Sequence, residues 1–183
     1  MSERLVFFTG PSGAGKSATA AAFVAARPTP TAFIESDQIR GIVRLGTFSA
    51  VNASETREHG RVGEYFHLGA RACAALVRTY LADGIDCVVN SLRGFAPPPP
   101  WAGEWDELDE LDPLFVVLFP SLDSCITRAA GRARSGETAP DVAKSHGFDW
   151  LAWSTHPRAH IIDTSEMTLD QVVVAVTQLV DRP

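Results

Sequence analysis

The chain has only three cysteines, Cys73, Cys87 and Cys125, and no two of them have metal-ligand or redox spacing. They read as small buried hydrophobes. No apolar run approaches the ~18 residues of a membrane span. Residues 1–5 do not place a charged segment before a long apolar one, so no secretory leader is expected. His59, His67, His146, His156 and His160 form no His-Glu-x-x-His or carboxylate-flanked zinc grouping. Basic residues are the minority: 16 Lys and Arg stand against 22 Asp and Glu, a formal charge of −6. That disfavours a nucleic-acid backbone binder. Internal repeats and a Ser-centred nucleophile elbow are also absent. These absences predict a soluble cytoplasmic protein with no membrane or nucleic-acid partner.

What remains is an ordinary globular composition. With 183 residues and 45% apolar side chains, a chain of this size buries about 70% of its extended surface. One domain over residues 1–183 is expected. Residues 5–9 predict a buried strand that ends in a Gly-rich turn, and 17–25 an Ala-rich helix closed by Pro28 and Pro30. Residues 31–35 predict a second strand with Asp37 just beyond it. Residues 41–57 carry no clear pattern. Apolar residues recur at helical spacing through 58–82, and 87–90 predict a third strand. The segment 95–112, with four consecutive prolines from Pro97, Trp101 and Trp105, predicts a turn-rich loop or short helix. A fourth strand is expected at 114–119, a helix at 122–134 broken by 135–140, a fifth strand at 160–163 and a closing helix at 169–179. Alternating strands and helices predict an α/β fold with a mostly parallel five-stranded sheet flanked by helices.

One motif narrows the chemistry. Gly10-Pro11-Ser12-Gly13-Ala14-Gly15-Lys16-Ser17 matches the full phosphate-loop pattern between a strand and a helix. Its glycines let backbone amides turn toward phosphate oxygens, and the helix N-terminus adds a favourable field. Lys16 is expected on the β- and γ-phosphates and Ser17 on Mg²⁺. Nucleoside-triphosphate binding follows, with ATP and GTP both open. No Asn-Lys-x-Asp guanine motif is present, which disfavours a regulatory GTPase without excluding GTP as donor.

At the carboxyl end of the second strand, Asp37 is placed to accept a proton from an acceptor hydroxyl and to help hold the metal; a helix N-cap is its plainer role. Glu35 is a weaker rival for the base. Arg40 shares a possible helical face with Asp37 and is a candidate for phosphate or substrate. Arg128 and Arg132 share another face, with Arg134 beside the break at Ser135. A short helical lid around 128–140 is expected, with Arg132 and Arg134 closing over the transferred group and Arg128 at its base. Trp150 and Trp153 read as core.

With these residues in view, the chain resembles small P-loop phosphotransferases of the kinase type, particularly the chloramphenicol phosphotransferase-like group. The resemblance rests on 10–17, 36–40, 116–123 followed by Arg128 and Arg132, and 162–165. It implies a P-loop NTPase fold with Asp37 as catalytic base, Lys16 and Ser17 as phosphate and Mg²⁺ ligands, and Arg132 and Arg134 in the lid. It also implies that Thr164 and Ser165 border the nucleotide base; a turn or helix cap is their plainer reading. The third strand departs from the pattern, because it ends in Asn90 where a Walker B strand carries an acid. Asn90 can orient water around Mg²⁺ but supplies no charge.

The acceptor must reach Asp37 and the γ-phosphate together. Residues 41–69 and the Trp-bearing segment are the expected walls, with Arg40, Phe48, Arg57, Arg61, Arg93 and Trp101 as substrate-binding candidates. The leading expectation is an ATP- or GTP-dependent O-phosphotransferase acting on a small-molecule hydroxyl. The resemblance suggests an antibiotic such as a nucleoside antibiotic, giving resistance. The alternatives are a primary-metabolite sugar or nucleoside kinase, a zeta-toxin-like nucleotide-sugar kinase, and a non-enzymatic nucleotide-dependent binding module. Neither the acceptor nor the oligomeric state is legible in the sequence.

Overall fold

The computed structural model describes residues 4–42, 62–91, 106–131, 138–147 and 150–181, and leaves the side chains of residues 40, 62–66, 106, 151 and 152 outside that description. Five strands, β1 (Leu5–Thr9), β2 (Thr31–Glu35), β3 (Asp86–Asn90), β4 (Leu114–Leu118) and β5 (Ala159–Ile162), form one sheet in the order β2-β3-β1-β4-β5. Every neighbouring pair is parallel. The helices are α1 (Lys16–Ala26), α2 (Ser36–Arg40), α3 (Val62–Ala82), α4 (Asp106–Asp109), α5 (Leu122–Ala130), α6 (Ala139–His146) and α7 (Leu169–Val180), with a 3₁₀ turn at Leu151–Thr155. The fold is the expected α/β class.

Alternation along the strands explains why both faces are covered. Leu5 and Phe7 point to one side with Val89, Phe115 and Val117, where Ala70, Cys73, Ala74 and Val77 of α3 close over them. Trp150 and Trp153 complete this layer, nearly sealed from solvent, and Trp153 lies 4.7 Å from Phe115 between ring centroids. Val6, Phe8, Val88, Val116 and Leu118 point to the other side, against Ala20 and Phe23 of α1 and Val172, Val176 and Val180 of α7. The spacing of four in α7 puts its three valines on one stripe. Cys73, Cys87 and Cys125 are all free and buried, as expected. No helix among the described residues is long and apolar enough to cross a membrane.

Some boundaries differ from expectation. The helix from Leu122 ends at Ala130, where Gly131 caps it by donating its amide to Thr127. The break expected through 135–140 instead holds the start of α6. The Thr138 hydroxyl accepts from the Asp141 amide while the Asp141 carboxylate accepts from Thr138, a capping box that starts a helix. The chain places β2 and β3 on one side of β1 and β4 and β5 on the other. The carboxyl ends of the central strands therefore border a topological switch point, where open α/β sheets bind ligands.

Candidate nucleotide and phosphoryl-transfer site

The phosphate loop runs from the end of β1 to the start of α1 at that switch point. Gly10 has φ 137°, and a Cβ there would lie 2.1 Å from the Leu118 carbonyl oxygen. Gly13, at φ 80°, would press its Cβ to 2.2 Å from the Cys125 carbonyl oxygen. These two glycines let the loop lie directly on β4 and α5. Gly15, at φ 91°, faces open space instead and caps α1. The first turn of α1 carries no acid, so its positive end is left for an anion. Lys16 curls back over its own loop and donates to the Pro11 carbonyl at 2.9 Å.

A polar corner meets the loop at Ser17. The Asn90 amide donates to the Ser17 hydroxyl at 3.0 Å and also to the Glu35 carboxylate, while the Ser17 hydroxyl donates to Glu35 at 3.4 Å. Glu35 and Asn90 are the last residues of β2 and β3 and are partners in the parallel register. Asn90 is nearly buried, and its Oδ1 has no hydrogen-bond partner. The buried hydroxyls of Ser36 and Ser91, one residue further along each strand, are also unpartnered. Buried polar atoms left open in this way mark an edge prepared for water or ligand. The oxygens of Ser17, Glu35 and Asn90 suit Mg²⁺, which takes oxygen ligands, keeps several waters and shares its shell with phosphates. Among the described residues no group of three or more His, Cys, Asp or Glu side chains forms a dedicated metal cage.

On the far side of the loop, the Ser12 amide donates to the Ser145 hydroxyl at 2.9 Å, and that hydroxyl donates to the Val142 carbonyl. The Trp150 indole N–H holds the Ser145 carbonyl at 2.9 Å. Nearby, half-buried Arg128 donates to the Thr164 carbonyl at 2.6 Å and to its hydroxyl at 3.3 Å. Ser165 donates its amide and hydroxyl to Asp163, and its hydroxyl accepts from the Ser121 amide at 2.8 Å. These Ser165 bonds, with Arg128 adding a smaller attraction, hold the Asp163 carboxyl below the usual carboxylate range.

A family model described as an AAA domain matches residues 5–157. The chain belongs to this AAA domain family. No curated protein matches it in sequence. Among solved structures, the Deinococcus radiodurans tunicamycin resistance protein is similar at TM-score 0.66 and 16% identity, covering 99% of this chain and 97% of the other. A sugar kinase from Janibacter sp. is similar at 0.64 and 16% identity, covering 98% and 95%. A gluconokinase from Sinorhizobium meliloti is similar at 0.60 and 18% identity, covering 99% and 96%. At these identities the likeness is one of fold. The shared level is the small P-loop kinase-type fold, broader than the chloramphenicol phosphotransferase-like group.

In this AAA domain the residues expected from sequence fall into three sets. Gly10 to Ser17 lie together, and Arg128 meets Thr164 and Ser165 directly. Asp37 is exposed in the first turn of α2, two residues past Glu35. Phe48, Arg57, Arg61, Arg93, Trp101, Arg132 and Arg134, and the Arg40 side chain, lie outside the described residues. From the sequence Glu35 was the weaker rival of Asp37 for the base, and Ser145 was not singled out. The signal for Glu35 was its place as the last strand residue, whose partner across the sheet only the register reveals. Nothing local marked Ser145.

Proposed function

We propose that this AAA domain is an ATP- or GTP-dependent O-phosphotransferase that acts on a small-molecule hydroxyl. The observation that carries this reading is the convergence of the phosphate loop with Glu35 and Asn90 on Ser17 at the carboxyl edge of the sheet. Lys16 and the loop amides hold the triphosphate, and Ser17 is the loop's metal ligand. Mg²⁺, bound with the triphosphate, neutralises phosphate charge. Asp37 contributes to the metal site and accepts the proton of the acceptor hydroxyl as its oxygen bonds to the γ-phosphorus. The bond from phosphorus to the β,γ-bridging oxygen breaks, and the electron pair leaves with the nucleoside diphosphate. Arg132 and Arg134 close over the transferred group from the lid. Arg128 orders the Thr164–Ser165 loop beside the nucleotide. Arg40, Phe48, Arg57, Arg61, Arg93 and Trp101 wall the acceptor, and the protein works in the cytoplasm.

The names of the similar structures bear on the acceptor. Two of the three are a sugar kinase and a gluconokinase, and one is a tunicamycin resistance protein. A sugar or related polyhydroxyl metabolite is therefore the better-supported acceptor, and an antibiotic is the second reading. Diphosphate release measured across sugars, sugar acids, nucleosides, aminoglycosides and amphenicols, with ATP and with GTP, tests both. Turnover with sugars alone supports the first, and turnover with an antibiotic alone the second. Asp37→Asn is expected to keep nucleotide binding and lose acceptor-dependent turnover. Acceptor-independent turnover that survives this change sinks the mechanism.

A further inference from the structure

The third strand ends in a neutral amide where a Walker B strand carries a carboxylate, yet a carboxylate stands at the same place one strand away. Glu35 closes β2 as Asn90 closes β3, the two are register partners, and both touch the Ser17 hydroxyl. We propose that the acidic function of the β3 end has been transposed to β2. Glu35, acting through Asn90 and Ser17, is the positioning charge for the divalent cation bound with nucleotide. The inference rests on the nucleotide-binding reading above and adds to it the residue that supplies the charge.

Hydrogen-bond accounting supports the transposition. Asn90 Nδ2 carries two hydrogens, and Glu35 and Ser17 take them. The Ser17 hydroxyl gives its proton to Glu35 and accepts from Asn90, which leaves one lone pair for a cation. Asn90 Oδ1, buried and unpartnered, is left to accept from a cation-bound water. The two side chains require each other. A carboxylate at position 90 would face Glu35 at hydrogen-bonding distance with no proton between them, and like charges so placed repel. The amide is thus the residue that fits position 90 when the acid sits at position 35, and the corner carries one negative charge, from β2.

The test is a charge-exchange cycle read by nucleotide affinity. Binding of fluorescent N-methylanthraniloyl-ADP is measured in Mg²⁺ and in EDTA for the wild type, Glu35→Gln, Asn90→Asp and the double exchange. The wild type should bind more tightly in Mg²⁺. Glu35→Gln should lose about 10- to 100-fold of that Mg²⁺-dependent gain, the scale for partners that orient metal ligands, with no loss of affinity in EDTA. Asn90→Asp alone should also bind Mg²⁺·nucleotide less well, and the double exchange should recover most of the gain. A Glu35→Gln protein that keeps the full gain, or a double exchange no better than Glu35→Gln, overturns the proposal. If the wild type binds no nucleotide in either condition, the nucleotide-binding reading itself falls. Should Glu35→Gln fail to fold by circular dichroism, the wild type carries the test. Mn²⁺·ADP should broaden the Asn90 side-chain amide signal in ¹⁵N NMR spectra, and a signal that stays sharp at saturation overturns the proposal.

Discussion

The Ser12 amide of the phosphate loop donates to the Ser145 hydroxyl of α6 at 2.9 Å, across 133 residues of sequence. The last turn of α6 therefore grips the phosphate loop. Ser145→Ala leaves the amide without this acceptor. The expected loss is about 1 kcal/mol of stability, the usual scale for one hydrogen bond, with weaker nucleotide binding. Urea unfolding and nucleotide titration check it, and a variant unchanged in both would show that α6 does not support the loop.

The loop glycines should differ in sensitivity. Gly13→Ala drives a Cβ into the Cys125 carbonyl, with backbone on both sides of the clash. Gly15→Ala meets nothing within 4 Å and suffers only the left-handed backbone penalty of about 1–2 kcal/mol. Thermal melting should therefore show a larger drop for Gly13→Ala, and Gly10→Ala should resemble it. Equal drops would mean that the loop is not seated on α5.

Asp163 gives the 163–165 loop an acid-sensitive contact. Its carboxyl sits below the usual range because the Ser165 hydroxyl and amide bond its charged form. A depressed folded value contributes stability above the unfolded value, and that contribution is lost as pH falls through the folded one. Melting temperatures should thus fall below about pH 4, with a shallower acid-side slope in Asp163→Asn. Because Asp163 is exposed, the difference should shrink in high salt. An identical slope in both proteins would remove Asp163 from the acid response.

The Cys87 thiol is shifted upward. Burial first and Asp86 second push it up from 9.0 to about 11. The folded protein should therefore hold a neutral thiol across that window and react with a disulfide reagent only after unfolding. Folding stability should decline as pH rises from 9.0 toward about 11, because only the unfolded chain ionises this thiol freely. Fast labelling of native protein at pH 9 would contradict this environment.

The strands were legible because a buried parallel strand needs a short apolar run and little else. The 5–9, 31–35 and 87–90 expectations sit within a residue of β1, β2 and β3. The helix from Leu122 read too long because its arginines continued the pattern past Gly131, where the backbone turns. The start of α6 was hidden because Pro140 resembles a breaker, yet proline suits a helix's first turn. Arg128 was expected at the base of the lid from its helical spacing alone; that its guanidinium holds the Thr164 carbonyl, 36 residues away, no local pattern could show.

The α/β class and the phosphate loop were legible without a structure, since periodicity and an eight-residue motif are local properties of the chain. Which polar groups meet that loop was set by the folded arrangement of the strands. Glu35 and Asn90 are 55 residues apart, and Ser12 and Ser145 more than twice that. Their contacts depend on strand order and register, which no local pattern encodes. A carboxylate near the loop was foreseeable; that Glu35 stands against Ser17 through Asn90 follows from β2 and β3 ending side by side.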